Sequence, residues 1–316
     1  MIDVLFIVPN NSKNIYQGLS SKYSAIETPT WALLLAESCR SKNFSVDILD
    51  TNAEQLDDEN SFEKIKALNP KLILFVVYGQ NVNAGTTNMS GTVRLAKYLK
   101  SKHLKIPISI VGSHVQALPL ETLKKETSID FVFTNEGVYA LHNLLKTNLK
   151  ISDLKNIKGI AYRNGTEIEI NNPEKIVPQD RLDYDLPGYA WDLLPYKNKP
   201  FDLYRSPLWH AEYKEEFRSP YAAIQTSLGC MFGCDFCMIN IINRDDNKEI
   251  GVASDYSKMR YWSTEFIIKE FEKLISYGVK TIKITDEMFL LNPKFYVPLC
   301  EKLIELNKND DLKMWA

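Results

Sequence analysis

Cysteine and histidine are scarce in this sequence, with five and four respectively in 316 residues. So few thiols exclude the disulfide framework of a small secreted scaffold. No long apolar run occurs. The longest, Leu72 to Tyr78, is strand-sized and far short of the roughly 18 residues of a transmembrane helix. Nor does one sign of charge dominate: 38 basic against 40 acidic side chains leave −2, which gives no footing for nucleic acid or an anionic membrane. Internal repeats, low-complexity tracts and a Gly/Ser-rich linker are absent. The start, Met1-Ile2-Asp3, lacks the basic opening of a signal peptide. What remains is an ordinary globular mixture, 45% apolar and 11% aromatic, long enough for about two domains and a large core. A cytoplasmic location, with no nucleic-acid or membrane partner, is the expectation.

The first 150 residues alternate short β-rich runs with helical patterns. Strands are predicted at Val4–Val8, Ser45–Leu49, Leu72–Val77, Ile106–Val111 and Phe131–Phe133. Helical spacing occupies Thr30–Lys42, Phe62–Leu68, Gly91–Lys102, Pro119–Lys125 and Val138–Leu145. Such alternation implies right-handed βαβ units and a parallel sheet covered on both faces. Five strands in this order fit a flavodoxin-like (Rossmann-like) α/β domain, whose ligand crevice lies outside the carboxyl ends of the strands. The polar or glycine-bearing strand ends are therefore the candidate site. They are Pro9-Asn10-Asn11, Tyr78-Gly79-Gln80, Gly112-Ser113-His114 and Asn135-Glu136-Gly137. Turn and capping duties favour the same residue types.

Residues 151–220 read as a hairpin followed by an ordered connector. Gly159–Arg163 and Thr166–Ile170 flank Asn164-Gly165, a strong hairpin signal. A stretch rich in Asp, Pro and aromatics then runs from Pro178 to Pro200; interdomain packing is expected for the aromatic and basic residues between Tyr196 and Arg218, with a substrate entrance as the alternative. From Tyr221 the βα rhythm resumes. Strands near Ala222–Thr226, Thr281–Ile284 and Leu312–Ala316 alternate with helices over Thr264–Tyr277 and Pro293–Leu306.

Three of the five cysteines fall within eight residues, in Ser227-Leu-Gly-Cys230-Met-Phe-Gly-Cys234-Asp-Phe-Cys237. Glycines at 229 and 233 let the backbone fold around a bound centre. Soft thiolates at this spacing select iron–sulfur clusters or zinc. Structural zinc commonly takes a second Cys or His pair, and none is evident; Cys39 and Cys300 sit apart on apolar helix faces. A four-iron cluster held by three cysteines leaves one iron free for a small molecule. That asymmetry points to catalysis.

The pattern Cys-x-x-x-Cys-x-aromatic-Cys at Cys230, Cys234, Phe236 and Cys237 resembles the radical S-adenosylmethionine (SAM) superfamily signature. The resemblance implies a [4Fe–4S] cluster on the three thiolates, SAM chelated to the open iron, and Phe236 beside the adenine. Lys258–Glu265 resembles the stretch that opens the family's first barrel helix. Thr285, Asp286 and Glu287 end the second strand, where the family borders the methionine amino group. They depart from its usual Gly-Gly-Glu form.

The first half is similar to the cobalamin-binding subfamily in Pro29–Ala36, Val46–Asp50, Val111–Val115, Asn135–Gly137 and the bridge Leu186–Leu194. By that resemblance Tyr78, Gly112, Ser113, His114, Asn135, Glu136 and Gly137 contact cobalamin. No Asp-x-His-x-x-Gly occurs, so histidine ligation of cobalt is not expected, and His114 is assigned to the corrin periphery or nucleotide tail. The whole chain then reads as a B12-binding domain (1–150), a connector (151–220) and the first part of a radical SAM partial TIM barrel (221–316). An eight-unit barrel uses about 31 residues per βα unit, so residues 221–316 hold about three units and the chain is expected to be a fragment of a longer barrel.

The activity implied is reductive cleavage of SAM to a 5′-deoxyadenosyl radical and methyl transfer to an unactivated carbon of a small-molecule substrate. A flavodoxin- or ferredoxin-type protein would donate the electron. Cobalamin-dependent rearrangement or cyclisation without methylation is the alternative within that chemistry. A non-catalytic cobalamin-binding or zinc structural protein is the alternative outside it. A methylthiotransferase would need further cysteines in the first domain, which has only Cys39.

Overall fold

The computed structural model describes residues 1–79, 81–147, 149–195, 203–205, 219–243, 248–252, 258–309 and 311–316. Five parallel strands open the chain: β1 (Ile2–Val8), β2 (Val46–Asp50), β3 (Pro70–Val76), β4 (Ile108–Val111) and β5 (Phe131–Phe133). They lie in the order β2-β1-β3-β4-β5, the flavodoxin-like arrangement. Successive strand residues face opposite sides of the sheet. Val4, Phe6, Leu72 and Leu74 accordingly enter one core, with Leu33 and Leu141 of the helices Thr30–Arg40 and Val138–Leu145. Leu5, Ile7, Ile73 and Phe75 enter the other, with Leu95 and Leu99 of the helix Met89–Ser101. Burial on both faces is why β3 reads as an unbroken apolar run.

The hairpin of β6 (Ile160–Asn164) and β7 (Glu167–Ile170) does not stand apart as connector. β6 pairs antiparallel with β5, and the sheet becomes seven-stranded. The sheet of the first unit therefore runs past residue 150. In the connector, Leu182, Leu186, Tyr189 and Trp191 are buried. Of the stretch Tyr196–Arg218, only residues 203–205 lie among those described.

In the second unit, β8 (Tyr221–Ile224), β11 (Thr281–Ile284) and β12 (Lys313–Trp315) form a parallel sheet in the order β12-β11-β8. Helices Thr264–Ser276 and Pro293–Leu306 alternate with these strands. Ser263 caps the first of them by accepting the Phe266 N–H at 3.2 Å, and Gly278 leaves it at φ +85°. A short antiparallel pair, β9 (Ser227–Gly229) with β10 (Met259–Tyr261), was not expected; the stretch from Lys258 enters β10 before its helix begins. One continuous core joins the units. Ile224, Trp262, Ile267, Phe271, Ile282 and Leu299 belong to the same cluster as Val4 and Phe6. Tyr189 and Trp191, stacked at 4.9 Å, lie in it too. Among the described residues no helix is long and apolar enough to cross a membrane.

Candidate functional site

The carboxyl ends of β1 and β3 face the second unit across a cavity of about 380 Å³. Val8, Asn52, Trp31 and Tyr78 line it from the first unit; Gln225, Ser227, Leu228 and Gly229 line it from the segment leading into the cysteines. Trp31 and Tyr78 meet edge to face at 5.8 Å.

A hydroxyl of the first unit completes the near edge of the barrel sheet. Thr28 Oγ1 donates to the Ala223 carbonyl at 2.7 Å and accepts the Ala223 N–H at 2.8 Å. Among the described residues β8 pairs with β11 on one side and with no strand on the other, so without Thr28 both Ala223 groups would be buried and unpaired there.

Seven of the sequence-predicted residues line the cavity: Pro9, Asn11, Tyr78, Gly79, Glu136, Thr285 and Glu287; Gln80 lies outside the described residues. The others take different places. Asp286 turns its carboxylate toward the protein, accepting the Thr226 N–H, the Thr226 hydroxyl and the Ser227 hydroxyl, each at 2.6 Å. It thereby clamps the root of the cysteine segment to the end of β11. Burial pushes its pKa up, and the three donors oppose the rise. Glu287 makes no hydrogen bond or ion pair among the described residues; burial against the cavity wall and the neighbouring Asp286 raise its pKa. Phe236 is 83% exposed and does not line the cavity.

Glu136 is committed to an ion pair between the units. Arg260 Nη2 on β10 meets its Oε2 at 2.9 Å, with the two side chains 2% and 4% exposed. Its other oxygen accepts the Val177 N–H, and its carbonyl accepts the Trp31 indole N–H at 3.1 Å. Arg260 also donates to the Val177 carbonyl at 2.6 Å and to Asn243 Oδ1 at 3.3 Å.

Asn135 closes its own turn. Its Oδ1 accepts the Gly137 N–H at 3.0 Å, and its Nδ2 donates to the Glu174 carbonyl at 2.7 Å. Gly112 packs so tightly that a Cβ there would stand 2.0 Å from the Val77 carbonyl oxygen. Ser113 is buried, and its hydroxyl has no partner among the described residues. His114 Nδ1 lies 3.0 Å from Thr86 Oγ1; burial, then Lys125, lowers its pKa and favours the neutral imidazole. The sequence reading missed Gln116. Its amide donates to the Tyr78 hydroxyl at 2.9 Å and to the Asn135 carbonyl, while its Oε1 stays buried without a partner among the described residues. A lone glutamine within a five-residue helix carries no signal in sequence.

The cysteine segment leaves β9 at Gly229, where φ is +89° and a Cβ would stand 2.4 Å from the Lys258 carbonyl oxygen, so no side chain fits. Cys230 Sγ accepts the Phe232 N–H at 3.5 Å, and the Cys237 N–H bonds to the Cys234 carbonyl at 3.0 Å. Cys234 is exposed; Cys230 and Cys237 are half-buried. Open space faces Gly233. Among the described residues no three His, Cys, Asp or Glu side chains gather closely enough to hold a metal ion. A multi-iron cluster takes one thiolate per iron and does not require convergence on one point. Three thiolate donors that do not converge on one point fit a cluster better than a lone zinc ion. For a large cofactor, the cavity offers apolar and aromatic wall from Val8, Trp31, Tyr78, Ile239 and Ile242, whereas the unpartnered Ser113 and Gln116 oxygens are buried and do not line it.

Residues 17–145 match the B12 binding domain family. The chain is 27% identical over 267 residues to an uncharacterised methyltransferase of Pyrococcus horikoshii, covering 84% of this chain and 50% of that protein. It is 26% identical over 208 residues to the cobalamin-dependent radical SAM methyltransferase TokK of Streptomyces tokunonensis, covering 66% of this chain and 27% of that one. The chain thus spans about half the length of the first of these relatives and about a quarter of the second. Among solved structures, the radical SAM methyltransferase TsrM of Kitasatospora setae, with cobalamin and a [4Fe–4S] cluster bound, superposes with a TM-score of 0.66 at 16% identity, over 100% of this chain and 56% of that one. Residues 17–145 are thus similar to the B12 binding domain family, and the chain as a whole shares its fold with TsrM.

Proposed function

We propose that this chain is the cobalamin- and cluster-bearing part of a radical SAM methyltransferase acting on a small molecule. One observation carries the reading: a single cavity is lined both by the strand ends of the B12-binding domain and by the root of the three-cysteine segment. Cys230, Cys234 and Cys237 would hold a [4Fe–4S] cluster, with SAM on the iron they leave free. Cobalamin would lie over the ends of β1, β3 and β4, beside Trp31 and Tyr78. Together these groups supply one-electron cleavage of SAM and a methyl donor for a carbon radical.

The side chains of this chain bind, orient and exclude water. Val8, Ile239 and Ile242 make apolar wall. Among the described residues three carboxylates line the cavity and no lysine, arginine or histidine does. Arg260 neutralises Glu136, and Lys283 neutralises Glu27 at 2.6 Å. Glu287 is the acid left unpaired among the described residues, suited to the ammonium end of SAM. A flavodoxin- or ferredoxin-type protein is the proposed electron donor.

Anaerobic reconstitution with iron, sulfide and hydroxocobalamin tests the assignment. A broad visible absorbance lost in Cys234→Ala and stoichiometric bound cobalamin are expected. S-adenosylhomocysteine and 5′-deoxyadenosine formed together with a methylated product support methyl transfer. Deoxyadenosine with no S-adenosylhomocysteine would replace it with rearrangement or cyclisation, and a colourless zinc-loaded protein would overturn the radical reading.

A further inference from the structure

The 3-10 segment Val82–Asn88, which follows β3, touches both halves of the proposed site. Val82, Ala84, Thr87 and Asn88 line the cavity. Between them, Asn83 reaches the other unit: its Oδ1 accepts the Met238 N–H at 3.0 Å, one residue beyond Cys237. Met238 precedes the short helix Ile239–Ile242 and accepts the Ile241 and Ile242 N–H groups at 2.8 and 3.1 Å. First-turn amides of a helix lack partners within it, and a side-chain oxygen is the usual acceptor. Here that acceptor comes from the B12-binding domain.

The segment is held to the first unit as one piece. Asn81 Oδ1 accepts the Asn83 N–H at 3.0 Å, Asn88 Nδ2 donates to the Tyr78 carbonyl at 2.8 Å, and Thr86 meets His114 at 3.0 Å. Its fit is tight as well. A Cβ on Gly79 would stand 2.4 Å from the Ala84 side chain, and one on Gly85 would stand 2.0 Å from Ser113 Oγ. With no slack beneath it, a ligand pressing on Val82 or Ala84 must fix or displace Asn83. Asn83 is exposed, so removing its amide leaves the core untouched.

We infer that Asn83 is a positioning residue that couples occupancy of the cobalamin cavity to the geometry of the cysteine segment. This rests on the function proposed above. Coupling of this kind is reciprocal: cobalamin alters the cluster's surroundings, and the cluster alters cobalamin affinity by the same free energy. One neutral hydrogen bond corresponds to a change of about three- to tenfold in affinity.

The test uses the full chain, with and without a reconstituted cluster, in three forms: wild type, Asn83→Ala and Asn83→Asp, the last keeping an acceptor. Hydroxocobalamin is titrated by absorbance, and the reduced cluster is read by electron paramagnetic resonance with and without cobalamin. In wild type and Asn83→Asp, cobalamin should change the cluster spectrum and the cluster should tighten cobalamin about three- to tenfold. Asn83→Ala should bind both groups yet lose both effects. Coupling unchanged in Asn83→Ala, or absent from a wild type that binds both groups, overturns this inference alone. A wild type that takes up no cobalamin or no cluster overturns the proposed function and this inference with it.

Discussion

Replacing Arg260 with methionine is the most searching perturbation of the interface between the units. The guanidinium is one half of a pair whose side chains are 2% and 4% exposed. It also serves the Val177 carbonyl and Asn243. Methionine fills similar volume but leaves the Glu136 carboxylate buried without its counter-charge. Breaking a buried pair from one side costs about 3–5 kcal/mol, because the stranded charge keeps its desolvation penalty. At about 2.1 cal/mol/K per residue, 316 residues give an unfolding entropy near 0.66 kcal/mol/K, so the midpoint should fall by roughly 4–8 °C. The continuous core supports reading this as one transition. Scanning calorimetry of the apo chain at neutral pH provides the measurement. The double variant Glu136→Gln/Arg260→Met should recover at least half of the loss, since the glutamine still accepts the Val177 N–H and strands no charge. A shift of about 1 °C in the single variant, or a double variant less stable than the single, would refute the argument from a stranded charge.

Thr28→Val keeps the shape but orphans both backbone groups of Ala223, at about 2–4 kcal/mol, and should speed hydrogen exchange of the Ala223 amide; a loss under about 0.5 kcal/mol counts against the edge-capping role. Asp286→Asn presents an amide where one carboxylate oxygen accepts a donor, so the root of the cysteine segment should loosen. Iron and sulfide per chain should fall well below wild type after identical reconstitution, and full loading would reject the clamp. His142, held near 4 by burial, lends stability present above its unfolded value and lost as pH falls toward 4. Asp50, raised to about 6 by burial, works the other way, its contribution fading as pH climbs to 6. The stability of wild type minus that of Asp50→Asn should therefore fall from pH 4 to 6.5 by on the order of 2–3 kcal/mol in urea titrations, and a difference that does not change with pH would show that Asp50 does not titrate as its burial requires.

Local chemistry made much of this protein legible. Phe131–Phe133, Pro119–Lys125, Val138–Leu145, Thr281–Ile284 and Pro293–Leu306 were placed to the residue, because apolar periodicity, a helix-initiating proline and a strand-length β-rich run all act within a few positions. The βα alternation read as a five-stranded flavodoxin-like sheet, and the strands lie in that order. The three-cysteine segment was equally plain, since its donors lie within eight residues.

Tertiary structure alone decided where polar side chains spend their hydrogen bonds. Glu136 and Arg260 are 124 residues apart in the chain, and Thr28 and Ala223 are 195 apart. No periodic pattern announces such pairs, because one contact per element leaves no repeat to detect. The acidic pair after β11 showed that a carboxylate was present. Packing turned Asp286 inward onto Thr226 and Ser227 and left Glu287 at the cavity. The Asn164-Gly165 turn specified a hairpin. Its seat on β5 was settled by the unpaired edge that β5 would otherwise have left, which is a property of the assembled sheet.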